Sequence, residues 1–217
     1  RNIVPMLIAA GLFILCNLSY TIKTNDILIL LATLLVSVKA IFFLFDKKNK
    51  PVDSLSKYVY LIGYLILPFV LITKIPFVEN SYNPNIILSI FILIWVNDTF
   101  AFLVGKTFGK HKLFEKVSPK KTIEGFVGGF IFSIVAGIIL AQFLMLQSYI
   151  HWIFIAVLAS VFGTLGDLVE SKFKRIANVK DSGTIMPGHG GVLDRLDSII
   201  FVAPIVFLFY QIIYYVS

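Results

Sequence analysis

The chain has 217 residues, 58% of them hydrophobic and only 14% charged, with a net charge of +7. Together with a mean hydropathy of +0.91, this excludes a soluble domain, which runs near ~25% charged. Abundant Leu, Ile and Phe exclude a disordered or collagen-like chain, and a lone cysteine, Cys16 in an apolar run, excludes a disulfide scaffold. What remains is an all-α, polytopic integral membrane protein, in which Lys and Arg report orientation before they report partners.

A spanning helix needs about 20 mostly apolar residues. Seven runs qualify in chain order: Ile3–Tyr20, Ile27–Phe45, Tyr58–Pro76, Ile86–Val104, Phe126–Leu146, Tyr149–Leu168 and Ser198–Val216. The first follows almost directly on Arg1 and ends without a small-residue cleavage site. It reads as a membrane helix and not as a removable signal peptide, and a missing N-terminal segment before Arg1 stays open. No repeat or linker divides residues 1–217, so a single membrane domain is expected.

With the N-terminus cytoplasmic, the inner segments are Arg1, Asp46–Lys57, Gly105–Glu124 and the stretch after Asp167 through Asp197. They carry 16 of the 19 Lys and Arg, against Lys23 and Lys74 outside and Lys39 within the second run. This asymmetry places two long loops, Gly105–Gly125 and Asp167–Asp197, on the cytoplasmic side, where nucleotides are available. Helix-to-helix turns need only a few residues, so loops of this length mark a candidate site.

The stretch Gly166–Ser198 holds five acids: Asp167, Glu170, Asp181, Asp194 and Asp197. On helices, Asp167 shares a face with Glu170 and Ser171, and Asp194 shares one with Asp197. Two acidic faces joined by a glycine-containing loop could converge on one hard cation. Magnesium prefers oxygen ligands and is commonly held by one or two carboxylates plus substrate phosphates. Lys172, Lys174, Arg175, Lys180 and Arg195 lie among the acids and suit phosphate oxygens. The competing reading is a solvated loop that only anchors the topology; it is weakest for Asp167, at the end of an apolar run. Pro187–Gly191 is too rich in glycine for helix and reads as a tight turn bringing His189, Gly190 and Gly191 close to a ligand.

In the other loop, Ser118 followed by Pro119 predicts a helix start, whose free N–H groups beside Lys120 and Lys121 make an anion site. Gly125 and Gly129, four apart, predict close helix packing. Asp98 interrupts the fourth run, and an intramembrane carboxylate is a functional candidate. Gly105-Lys106-Thr107 resembles the end of a P-loop, but Phe100 stands where its first glycine belongs. There is no HExxH, no CxxC and no Gly-x-Ser-x-Gly. A serine hydrolase and nucleic-acid binding are both set aside, the latter because topology explains the basic residues.

These residues resemble the phosphatidate cytidylyltransferase (CDP-diacylglycerol synthase) family. Its C-terminal signature is matched by Ser171, Lys174, Arg175, Lys180, Asp181, Gly183, Pro187, Gly188, His189, Gly190, Gly191, Asp194, Arg195 and Asp197. Its upstream motif is matched by Ser118, Pro119, Lys120, Lys121, Thr122, Glu124 and Gly125, and an earlier acidic stretch by Asp98, Gly105, Gly109 and Lys110. The likeness covers about Trp95 to Ser198, so residues 1–90 are read as N-terminal helices and 91–217 as catalytic helices and loops. It implies magnesium-dependent transfer of CMP from CTP to phosphatidic acid, a site at the cytoplasmic face of the inner membrane, and a homodimer; a second cation is left open.

On this reading Asp167, Asp194 and Asp197 are metal ligands, and Asp167, Asp194, Lys174, Arg175 and Arg195 are catalytic. Ser118, Lys120, Lys121, Thr122, Glu124, Ser171, Lys180, Asp181, His189, Gly190 and Gly191 bind substrate. The alternatives are a CTP-dependent polyprenol or phytol kinase, which keeps only a partial pattern of these motifs, and an ion-coupled transporter, which predicts acids spread at midplane depth.

Overall fold

The computed structural model describes residues 3–18, 23–46, 53–77, 82–144, 148–183 and 190–216. Six of its helices are long and apolar enough to cross a membrane: Asp26–Phe45, Ser54–Phe77, Pro84–Phe108, Ile123–Phe143, Tyr149–Ile176 and Leu193–Ile213. The first expected run forms α1 (Ile3–Leu18), whose 16 residues fall short of that length. Among the described residues, six of the seven expected spans reach membrane length and the first is a shorter apolar helix.

Helix α2 (Lys23–Phe45) is followed by a composite span: α3 (Ser54–Tyr60), a π-helical segment over Leu61–Ile66, α4 (Leu67–Lys74) and a 3-10 turn over Ile75–Phe77. Asp53 caps α3 by accepting the Ser56 N–H at 3.1 Å, and hydrogen bonding to Ser56 holds its carboxyl below the ordinary value. Pro68 has no N–H to donate, and the π turn just before it absorbs the missing bond. At the other end of these spans Lys74 pairs with Asp26 at 2.6 Å.

Helix α5 (Pro84–Phe108) starts with Pro84 behind the Asn83 cap, as the fixed φ of proline favours. Its heaviest packing is against α6 (Ile123–Phe143), and glycines set the spacing. A Cβ at Gly129 would lie 2.5 Å from the Asn97 carbonyl oxygen, and one at Gly125 2.5 Å from that of Ala101. The close packing expected from Gly125 and Gly129 is therefore present.

Between α5 and α6 the chain departs from the expected helix start. Residues Lys112–Phe114 (β1) and Ser118–Thr122 (β2) form an antiparallel hairpin. Both strands of a two-stranded sheet are edges, where Pro119 is tolerated. The helix begins instead after Thr122, whose hydroxyl accepts the Gly125 N–H at 3.1 Å. Ser118 and Pro119 carry the right residue types for a cap, but the hairpin claims their backbone first.

Helix α7 (Tyr149–Ile176) runs past the expected loop start at Asp167, because nothing breaks it before Asn178. Asn178 adopts a left-handed φ of 55°, and the Val179 N–H reaches the Lys174 carbonyl at 3.0 Å, closing the helix as a Schellman motif. Helix α8 (Leu193–Val216) likewise starts earlier than expected and takes in Asp194, Arg195 and Asp197. The described core lies around Trp152, Ile155, Ile199 and Tyr210.

Lys172 belongs to this framework. It is 3% exposed and donates to the carbonyls of Phe43 at 2.5 Å, Leu44 at 3.2 Å and Asp46 at 2.6 Å. Its ammonium also lies 4.7 Å from the centroid of the Phe43 ring. A cation at the open carbonyls of α2 satisfies them and complements the helix dipole.

Candidate active site

The chain direction brings the ends of α2, α5 and α7 and the starts of α3, α6 and α8 to one end of the bundle. The polar residues singled out in the sequence collect there. Asp167 on α7 accepts the Ser171 hydroxyl at 3.1 Å and pairs with Lys121 of β2, so the hairpin is tied to the helix by an ion pair. Asp98 on α5 and Asp197 on α8 are electrostatic neighbours of Asp167, and Lys121 is also a neighbour of Asp98. Acids from three helices thus interact with one another, and Lys121 serves two of them, Asp98 and Asp167.

Asp194 occupies a different setting. Its Oδ1 accepts Lys174 Nζ at 2.8 Å, and its Oδ2 accepts the Ser182 hydroxyl at 2.8 Å and the Gly191 N–H at 2.6 Å. The Ser182 N–H donates at 2.9 Å as well. Gly190, at φ 84°, lets the backbone fold over this carboxylate, since a Cβ there would lie 2.6 Å from Asp194 Oδ2. The glycines expected to approach a ligand therefore close on Asp194. Lys174 pairs in turn with Glu170, which is 1% exposed.

Glu124, expected to bind substrate, closes the hairpin. It accepts the Lys110 N–H at 3.1 Å and the His111 N–H at 3.2 Å, and its carboxylate meets His111 Nδ1 at 2.6 Å. Thr122 is buried as the cap of α6, and Ser118 is half-buried on β2. Lys120, Arg175, Lys180, Asp181 and Arg195 are exposed. His189, with Pro187 and Gly188, lies outside the described residues.

Among the described residues no three His, Cys, Asp or Glu side chains are arranged to hold a metal ion. The donor chemistry nevertheless fits a hard cation. All the candidate ligands are carboxylates, and two of them, Asp167 and Asp194, are each held by a lysine ammonium, a protein cation where a metal could stand. Two acids that the structure couples to the predicted site residues stand outside the sequence-derived set. Asp98 is a functional candidate inside an apolar run and matches the family's earlier acidic stretch, but the sequence alone assigns it no site role. Glu170 was placed on the Asp167 face without a role, although its i,i+4 spacing to Lys174 was a readable signal.

A family model described as "Cytidylyltransferase family" matches residues 1–213. Over 131 residues the chain is 50% identical to a phosphatidate cytidylyltransferase of Staphylococcus haemolyticus (strain JCSC1435), covering 59% of this chain and 50% of that protein. Over 128 residues it is 49% identical to the phosphatidate cytidylyltransferase of Staphylococcus aureus (strain COL), covering 58% and 49% respectively. The chain spans about half the length of the curated relatives it matches.

Proposed function

The chain belongs to the cytidylyltransferase family, and on that premise we propose that it transfers CMP from CTP to phosphatidic acid, giving CDP-diacylglycerol and pyrophosphate for phospholipid biosynthesis. The observation that carries this reading is the electrostatic coupling of Asp98, Asp167 and Asp197, with Lys121 beside Asp98 and Asp167, at one end of a bundle of membrane-length helices. A lipid phosphate and a water-soluble nucleotide can meet at such a place. The basic loops support a cytoplasmic location for that end, and the cell membrane and a homodimer complete the proposal.

A phosphate monoester is largely dianionic near neutral pH, with a second pKa of about 6. Its oxygen can attack the α-phosphorus of CTP without a dedicated base. The new P–O bond forms as the bond to the β-phosphate breaks, and pyrophosphate leaves with the electron pair. Bringing two anions together is the obstacle, so the protein's part is positioning and neutralisation of charge. Exposed Arg175, Lys180, Arg195 and Lys120 draw both anions to this end. Asp167, Asp194 and Asp197 are proposed to hold magnesium, which when bound supplies Lewis-acid polarisation of the phosphates. Lys121 and Lys174, paired here with Asp167 and Asp194, would turn to phosphate oxygens once those carboxylates hold a metal.

The experiment supplies membranes containing the protein with phosphatidic acid, magnesium and CTP labelled at either the α- or the γ-phosphorus. The proposal expects α-label in the lipid phase and γ-label in pyrophosphate. γ-Label in a polyprenol, with α-labelled CDP released, would replace it with a CTP-dependent kinase. No chemistry in folded protein would contradict both.

A further inference from the structure

A cavity of about 320 Å³ opens between α3, the π segment and the end of α7, with neither Asp167 nor Lys121 in its lining. Its aromatic wall is built from Tyr60, Tyr64 and Phe173, with ring centroids 4.9 Å apart for Tyr60–Phe173 and 5.6 Å for Tyr64–Phe173. Two residues of its lining, Glu170 and Tyr64, carry buried polar atoms that lack a match among the described residues. Glu170 pairs through Oε2 with Lys174, but its Oε1 accepts no hydrogen bond. The hydroxyl of Tyr64, a residue 5% exposed, also has no partner. Leaving a buried acceptor and a buried donor unmatched is costly and calls for an explanation.

One flat ligand supplies both partners. The hydrogen-bonding edge of cytosine places an amino donor at C4 beside ring acceptors, and carboxylates are the side chains that accept from that amino group. An aromatic wall suits the face of a base. An acyl chain would fill the apolar surface yet leave both polar groups unmatched. We propose that this cavity is the cytosine pocket, with Glu170 accepting from the 4-amino group, Tyr64 donating to O2, and Phe173 and Tyr60 backing the ring. Lys174 belongs both to the cavity wall and to the contact with Asp194, which directs the phosphates towards the acids. The inference rests on the CTP-dependent reading above.

The test measures equilibrium binding of CTP, UTP and the triphosphate of pyrimidin-2-one riboside, which lacks the 4-amino group, to the full chain in detergent with magnesium. The unsubstituted protein should bind CTP at least about 10-fold more tightly than either analogue. Glu170→Gln should cut the CTP:UTP ratio by about 10-fold or more, because an amide can donate to the uracil carbonyl. Tyr64→Phe should weaken CTP and UTP alike, since both carry O2. Equal binding of CTP and the pyrimidin-2-one nucleotide by the unsubstituted protein would overturn the pocket without any mutation. So would a folded Glu170→Gln with an unchanged ratio, or one impaired only towards phosphatidic acid. If the unsubstituted protein transfers no CMP at all, the underlying function fails instead, which the lipid-phase assay reads separately.

Discussion

In the connection between α5 and α6, Glu124 and His111 tie the two ends of the hairpin to each other, and Lys121 carries its charge across to Asp167 on α7. Between α7 and α8 the outward charges are acids and not a base: Asp194 binds Lys174, Ser182 and Gly191 together, while Asp167 pairs with Lys121 and Asp197 has Asp167 and Asp98 as electrostatic neighbours. Both connections are polar, rich in glycine and matched to motifs of one family, yet they spend their charged groups differently. The difference teaches that residues in a chemical motif divide into those that build the loop and those left over for ligands. A short motif read from sequence cannot make that division, because it depends on which backbone N–H groups remain unpaired after folding.

Substitutions can break this contrast, beginning with the largest effect. Asp194→Asn removes the charged acceptor from four donors. It should lower stability by about 2 kcal/mol, expose the 177–192 connection to protease, and reduce CMP transfer as well; an unchanged melting temperature in detergent would show that Asp194 does not hold the loop. Lys172→Met strips the cation from the carbonyls of Phe43, Leu44 and Asp46. We expect a loss of about 1–2 kcal/mol in unfolding, with transfer per folded molecule unchanged. A selective fall in turnover would move Lys172 from the framework into the site. Asp98→Asn sharpens the comparison from the α5 side: transfer should drop about 10-fold with the melting temperature preserved, measured as initial rate at saturating CTP. His111→Ala should matter least. Its side chain is 74% exposed, so the clasp on Glu124 is screened by water, and transfer should fall by less than about threefold.

The membrane architecture was legible because about 20 apolar residues per span is a constraint that few competing structures meet. Orientation of the polar connections to one end followed from the positions of Lys and Arg. The Gly125–Gly129 contact was readable too, since small residues at helical spacing have few other uses in a membrane. The helix start at Ser118 was not, because Ser-Pro suits either a cap or an edge strand and only the pairing with Lys112–Phe114 decides between them. Nor was the role of Lys172, whose partners lie 126 to 129 residues away in the chain. Lys174 reads the same in sequence, two residues on, and lands among carboxylates because the helix turns it through about 200°.

The account rests most heavily on Asp167, where α7 meets the hairpin lysine and the acids of α5 and α8. The direct measurement is the rate of α-label transfer from CTP into phosphatidic acid by Asp167→Asn, at matched amounts of folded protein judged by thermal unfolding. The account predicts an unfolding temperature within a few degrees of the parent and a rate reduced by at least about 10²–10³-fold. A well-folded Asp167→Asn that labels the lipid at near the parental rate would contradict it.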